Sequence, residues 1–242
     1  MTLLRIEDAT KSFGGLIAVN HVTFDVAEGE ILGLLGPNGS GKTTLINLIS
    51  RALPITAGEI YLHDQKLTGK RADQVARIGV SRTFQLVRIL PSLSLVENVM
   101  IPAVFGSEGQ SIDKGREIAN NCLERVGLQH RTDALAADLT YIDQKRLELA
   151  RALASNPSLL LLDEWLAGLN PTELKQGIEL IRSLSTSGMT IIMVEHIMEA
   201  VRALCPRVVV MNSGRLIADE KTAAALSDPA VIAAYLGEVD DA

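Results

Sequence analysis

Aromatic residues are scarce in this chain: four Phe, three Tyr and one Trp make up 3% of its 242 residues. The interior must therefore be packed from Leu, Ile, Val and Ala, which a hydrophobic content of 47% supplies amply at this length. So apolar a chain is not disordered as its dominant state, because it can bury enough surface to offset the entropy of ordering. Cysteine is scarce too. Cys122 and Cys205 stand far apart with no Cys-x-x-Cys pair, which points to a reducing compartment and ordinary cysteines. Long apolar runs are missing, although the mean hydropathy is positive at +0.22. The longest, Ile31–Leu35, Leu159–Leu162, Ile191–Val194 and Val208–Met211, fall well short of the roughly 18 residues of a spanning helix. Positive charge is in deficit: 23 Lys plus Arg against 29 Asp plus Glu give a net charge of −6. With no basic run, the chain is a poor candidate for coating nucleic acid or binding anionic lipid. The start, Met1-Thr-Leu-Leu-Arg5-Ile-Glu7-Asp8, places charges where a secretory signal needs its apolar stretch, so a cytoplasmic location is expected.

What is present is ordered. Val22, Phe24 and Val26 alternate with His21, Thr23 and Asp25, and Glu59-Ile-Tyr-Leu-His63 repeats that period of two, the pattern of half-buried strands. The short all-apolar runs predict strands buried on both faces. Segments of helical length lie between them, so the middle and end of the chain read as an α/β sheet. Residues 86 to about 140 contain Pro91, Pro102 and the Gly106-Ser-Glu-Gly-Gln-Ser111 tract, followed by helical sequence around 113–126. They read as an inserted helical subdomain.

Gly36-Pro-Asn-Gly-Ser-Gly41-Lys42-Thr43-Thr44 satisfies the phosphate-loop pattern, between a predicted strand (31–35) and a predicted helix (44 to about 51). Glycines let successive backbone N–H groups curl around a β-phosphate, Lys42 offers a point charge to β and γ oxygens, and the Thr43 hydroxyl suits Mg²⁺. The helix that follows adds its N-terminal dipole. Ser158-Leu-Leu-Leu-Leu-Asp163-Glu164 is an apolar strand delivering two carboxylates at its C-terminal end, where α/β sheets bind ligands. Asp163 suits the Mg²⁺ shell, and Glu164 suits orienting or deprotonating an attacking water. Another strand ends in Glu195-His196, which places a histidine within reach of a γ-phosphate.

These motifs, in this order, resemble the ATP-binding cassette (ABC) ATPases over nearly the whole chain. The resemblance implies one cassette over residues 1–242. Its RecA-like phosphate-loop core and antiparallel β subdomain would take residues 1–85 and 150–242, and a helical subdomain over 86–149 would carry the family signature. ATP and Mg²⁺ are the implied ligands. Phe13 would stack on adenine, and Gly36, Pro37, Asn38, Gly39, Ser40, Gly41, Lys42, Thr43 and Thr44 would line the phosphates. Gln85 would reach the nucleotide and, with Thr43 and Asp163, the metal. Lys42, Glu164 and His196 would be the catalytic set. Asn170, Pro171 and Glu173 make a well-capped helix start after the loop that follows Glu164. More narrowly, Phe13-Gly-Gly-Leu-Ile-Ala-Val19, Arg82-Thr-Phe-Gln85, Ala167-Gly-Leu-Asn-Pro171 and Ala234-Tyr-Leu-Gly-Glu238 are similar to the ATPase subunits of branched-chain amino acid importers. Urea, amide and lipid transporters of the same type share many of these features. The implied partners are a second cassette, transmembrane permease subunits and, indirectly, a substrate-binding protein outside the membrane, with no nucleic acid. The implied place is the cytoplasmic face of the membrane.

The chain departs from the family at two points. Where the signature reads Leu-Ser-Gly-Gly-Gln or Leu-Ser-Tyr-Gly-Gln, this sequence has Leu139-Thr-Tyr-Ile142-Asp143. Thr140 and Asp143 form a capping pair for the helix, but Ile142 puts a branched side chain where glycine leaves the backbone open. Asp143 adds charge facing a partner's nucleotide: at ~6 Å and an effective dielectric of ~20, repulsion is on the order of 3 kcal/mol per phosphate charge. A poorly serving signature, and with it an asymmetric heterodimer, is the expectation. Trp165 stands where the family has Pro after the catalytic Glu, with a bulky ring close to the γ-phosphate approach. The rival readings are a non-transport ABC-type ATPase, disfavoured by the lack of a tandem cassette or coiled-coil insert, and a nucleotide-gated module that never hydrolyses, disfavoured by Glu164.

Overall fold

The computed structural model describes residues 1–106 and 110–236. Part of the 106–111 tract and the end of the Ala234–Glu238 motif lie outside the described residues. The chain opens with a long hairpin, β1 (Thr2–Phe13) and β2 (Leu16–Ala27). Val22, Phe24 and Val26 point inward and their neighbours outward, as the alternation predicts. The buried strand β3 (Ile31–Leu35) leads through the phosphate loop into α1 (Lys42–Ile49). The chain then returns through β4 (Ala57–Leu62), β5 (Gln65–Lys66), α2 (Ala72–Ile78) and β6 (Val80–Arg82). Three longer helices follow: α3 (Leu95–Phe105), α4 (Ile112–Arg125) and α5 (Tyr141–Leu153). The rest is β7 (Leu159–Asp163), α6 (Pro171–Thr186), β8 (Thr190–Val194), α7 (Met198–Leu204), β9 (Arg207–Asn212), β10 (Arg215–Lys221), α8 (Thr222–Ala225) and α9 (Pro229–Leu236).

Two sheets result. One is antiparallel, in the order β2-β1-β4-β5; the other runs β10-β9-β3-β8-β7-β6. In the second, the five strands from β9 to β6 pair in parallel, and β10 adds an antiparallel edge. Every residue of β3, β7 and β8 is buried, so the apolar runs are explained by burial on both faces. Successive residues feed opposite layers. Leu32, Leu34, Leu159, Leu161 and Ile192 pack with Leu45, Ile46, Leu48 and Ile49 of α1 and the inner face of the antiparallel sheet. Leu35, Leu160, Leu162, Ile191 and Met193 pack on the other side with the apolar faces of α3 to α7. The helix α1, carrying the phosphate loop at its start, is thus clamped between two sheets.

Three details add to the sequence reading, and the third departs from it. The helix α3 runs through Pro102 despite the lost backbone donor. Its start is fixed by a reciprocal cap between Ser94 and Glu97, and Asn98 is fully buried and bonded to Leu90, Leu93 and Ser94. The helix α5 continues across the 149/150 boundary to Leu153, because Leu149, Ala150, Ala152 and Leu153 are buried on its inner face. Its cap is one-sided. The Thr140 hydroxyl accepts from the Asp143 N–H at 3.4 Å, but the Asp143 carboxylate turns elsewhere. The α6 cap forms as expected, with Asn170 accepting from Thr172 and Glu173 at 3.0 Å and Glu173 accepting in return.

Candidate functional site

The site lies where β3, β7 and β8 end. After β3 the chain turns sharply at Gly36, whose φ is +141°. A Cβ there would collide with the Met211 carbonyl and sit 2.7 Å from the Ser40 hydroxyl, so only glycine fits. Gly41, at φ +104°, is equally confined against the Ala18 carbonyl and forms the N-cap of α1. The loop these two glycines shape is anchored from behind: the Gly36 N–H donates to the Tyr235 hydroxyl of α9 at 2.9 Å. Lys42 is buried and folds back on the loop, donating to the carbonyls of Gly36 at 2.7 Å and Pro37 at 2.8 Å. Burial lowers its pKa, opposed by the nearby Glu164 and Asp163 carboxylates. The Ser40 hydroxyl is buried with no hydrogen-bond partner. An unpaired donor, a charged amine and a glycine cradle at a helix start fit a polyphosphate anion.

Across from the loop, Asp163 is almost fully buried at the end of β7. Burial raises its pKa, and Arg82, 3.5 Å away, works against that rise. Arg82 is itself held by the Asn47 side chain of α1 at 2.6 Å and by the hydroxyl of Ser50, which caps that helix, at 3.2 Å. Sequence reasoning missed Arg82 as a site residue; the parallel register of β6 on β7 brings it to Asp163. Next in the chain, Glu164 adopts φ +51°, a left-handed conformation that costs a non-glycine residue about 1 kcal/mol or more. That turn points its carboxylate between two partners. Gln85 donates its amide to one oxygen at 2.8 Å, and His196 Nε2 lies 3.0 Å from the other. The residue before His196, Glu195, is buried and accepts the Leu166 N–H at 2.9 Å, tying the two loops together. Glu195 was quoted in the sequence only as His196's neighbour, and nothing in its spacing marks it.

The remaining candidates are placed as follows. Phe13 ends β1 at a hairpin tip where it, Leu16 and Ile17 expose apolar surface, with the Lys11 ammonium 4.8 Å from its ring centre. The same strand β2 supplies the Ala18 carbonyl that confines Gly41, so the tip adjoins the phosphate loop. Thr43 is exposed and Thr44 half-buried on the first turn of α1, and Asn38 and Gly39 are exposed on the loop. Thr43 and Asp163, both oxygen donors, suit Mg²⁺. Gln85 directs its amide nitrogen at Glu164, which leaves its carbonyl oxygen as the atom for a metal.

Two expectations are corrected. The Trp165 ring does not crowd the γ-phosphate approach. It is 1% exposed and turned into the interior, where its indole N–H donates to the Lys145 carbonyl of α5 at 3.1 Å. Nor does the Asp143 charge stand uncompensated. Its carboxylate bridges Arg131 at 3.2 Å and Arg146 at 3.3 Å, and Ile142 is 8% exposed, turned into its own chain.

A glycine-shaped phosphate loop facing paired carboxylates at the C-terminal edge of a parallel sheet defines a nucleoside-triphosphate-binding α/β protein. The comparisons with known proteins narrow this. The family model described as ABC transporter matches residues 19–167, and the chain belongs to that family. The high-affinity branched-chain amino acid transport ATP-binding protein LivG of Salmonella typhimurium is 38% identical, with 98% of each chain covered. BraF of Pseudomonas aeruginosa, described in the same words, is 36% identical over the same shares. A solved ATP-binding cassette of an ABC transporter in its ADP conformation superposes with a TM-score of 0.88 and 31% identity, covering 98% of this chain and 100% of that one. A nucleotide-free cassette gives 0.88 and 30% over the same shares. The chain is an ABC-type ATPase. Among the described residues no helix is long and apolar enough to cross a membrane.

Proposed function

We propose that this chain binds and hydrolyses ATP to power a membrane importer of branched-chain or other hydrophobic amino acids. The observation that carries the hydrolytic part is the Gln85–Glu164–His196 arrangement beside the phosphate loop. On nucleotide binding, Lys42 leaves the two loop carbonyls for the β and γ oxygens, an exchange of neutral acceptors for charged ones that favours the bound state. Phe13 stacks on the base. Glu164, oriented by Gln85 and His196, takes the proton of the attacking water, and His196 bonds the γ-phosphate. Mg²⁺, held by Thr43, Asp163 and the Gln85 oxygen, would supply charge neutralisation at the phosphates.

The substrate reading rests on the names of the relatives. Relatives described as transport ATP-binding proteins support a separate permease as partner and a place at the cytoplasmic face of the membrane. A groove of about 570 Å³ between α2, α3 and α5, with Phe84, Ile101, Pro102 and Phe105 on its walls, suits the permease's cytoplasmic surface. The second cassette is a different chain. A branched Ile142 stands where the family signature has glycine, and the Asp143 side chain, an acceptor paired with Arg131 and Arg146, stands where it has glutamine, which supports an unlike partner with an intact signature. The competent site is then this chain's own phosphate loop against an intact signature on its partner.

Purification from detergent-solubilised membranes tests this. The chain should bring down permease subunits and a second cassette, and cells lacking it should lose leucine uptake. Loss of urea, amide or lipid uptake instead would move the substrate class and keep the mechanism. No membrane partner would contradict the transport reading.

A further inference from the structure

Glu148 is a buried carboxylate, 4% exposed, in the middle of α5, and nothing in the hydrolytic arrangement uses it directly. One of its oxygens accepts the Arg88 N–H at 3.0 Å; the other is buried with no partner. Arg151, three residues on and therefore on the same face of α5, donates to the Arg88 carbonyl. Both polar groups of the residue-88 backbone are thus gripped by one helix face. Burial raises the Glu148 pKa, and the Arg88 N–H opposes that; the Arg88 guanidinium lies 4.1 Å from the centre of the Phe84 ring, which ties the gripped backbone to the residue before Gln85. Gln85 in turn donates to Glu164 at 2.8 Å. A buried carboxylate with an empty oxygen is costly to keep unless it holds something in place.

We propose that Glu148 is a positioning residue for ATP hydrolysis: by gripping the Phe84–Arg88 segment it holds Gln85 against Glu164. The proposal rests on the reading of Glu164 as the base. It also gives α5 a role at both of its faces. The helix starts at the signature, and its middle lines the groove between α2 and α3.

The test is a cycle of E148A, Q85A and the double variant in the full chain with its partner cassette, alongside E148Q and E164Q. Amide exchange at Arg88 is read in parallel. E148A should lower kcat about tenfold with KM for ATP within about twofold, and the double variant should be no slower than Q85A by more than about twofold. E148Q keeps an acceptor oxygen and should restore both kcat and slow exchange at Arg88, which E148A accelerates. Multiplicative losses in the double variant, an unaffected E148A, or E148Q as slow as E148A would overturn the proposal. An E164Q protein that hydrolyses normally would instead overturn the reading of the site, and the positioning role with it.

Discussion

Trp165 donates its indole N–H to the backbone carbonyl of Lys145 at 3.1 Å in the interior of the chain. The loop that follows the candidate base is thereby fastened to α5, the helix that begins at the signature. A residue that departs from the family pattern serves here as a joint between the two.

Removing that joint should be measurable. Trp165→Phe keeps most of the ring and loses the hydrogen bond, at about 1 kcal/mol. Trp165→Ala also leaves a cavity, since the ring is fully buried against α5 and α6, and should cost about 3–5 kcal/mol. Denaturant unfolding separates the two. The chain has one tryptophan, so its own emission reports the buried ring in the native state and its exposure on unfolding.

Lys42→Ala tests the anion cradle. Lys42 donates to two loop carbonyls, so its loss should cost about 1–3 kcal/mol of stability. ATP affinity should fall at least about tenfold, because a charged donor to the phosphates is gone. A titration with a fluorescent ATP analogue distinguishes this from a loop whose backbone N–H groups carry the binding alone.

The features legible in the sequence were those written in contiguous residues. The four apolar runs became the buried strands, the phosphate loop and its flanks fell where the pattern put them, and Asn170–Glu173 capped α6. What stayed hidden depends on partners far along the chain. Arg82 meets Asp163 only through the pairing of β6 with β7, Glu148 meets Arg88 across 60 residues, and Asp143 is neutralised from Arg131 outside its helix. The inward turn of Trp165 and Ile142 was equally invisible, because a motif fixes register and does not say which way a side chain points.

The buried Glu195 gives a pH dependence. Burial, with the Glu164 charge adding, pushes its pKa up to about 7, against the N–H groups of Leu166 and His196 and the Lys145 charge. In the unfolded chain a glutamate titrates near pH 4.3. Between about pH 4.3 and about 7 the native state therefore holds the proton that the unfolded state has lost. Stability through this group is fully present below that window and falls as pH rises across it, by on the order of 3 kcal/mol. Glu195→Gln cannot titrate and keeps an acceptor for Leu166. Its unfolding free energy relative to wild type should rise between pH 5 and pH 8; parallel curves for the two proteins would contradict the assignment.

The altered signature makes a second cassette testable. Ile142→Gly with Asp143→Gln should raise turnover in a dimer of this chain alone, by freeing backbone and restoring a donor. Stability should fall by about 3–6 kcal/mol, since Ile142 leaves the interior, glycine weakens the helix and Asp143 gives up Arg131 and Arg146. Rapid hydrolysis by the unmodified dimer, with no gain from the double change, would remove the case for asymmetry.

The most direct test is ATP turnover by Glu164→Gln in the chain purified with its partner cassette. If Glu164 is the base that Gln85 and His196 hold in place, hydrolysis should fall about 100-fold or more while ATP affinity is kept. The protein should then accumulate as an ATP-bound dimer on size-exclusion chromatography. Wild-type turnover in Glu164→Gln would contradict the account.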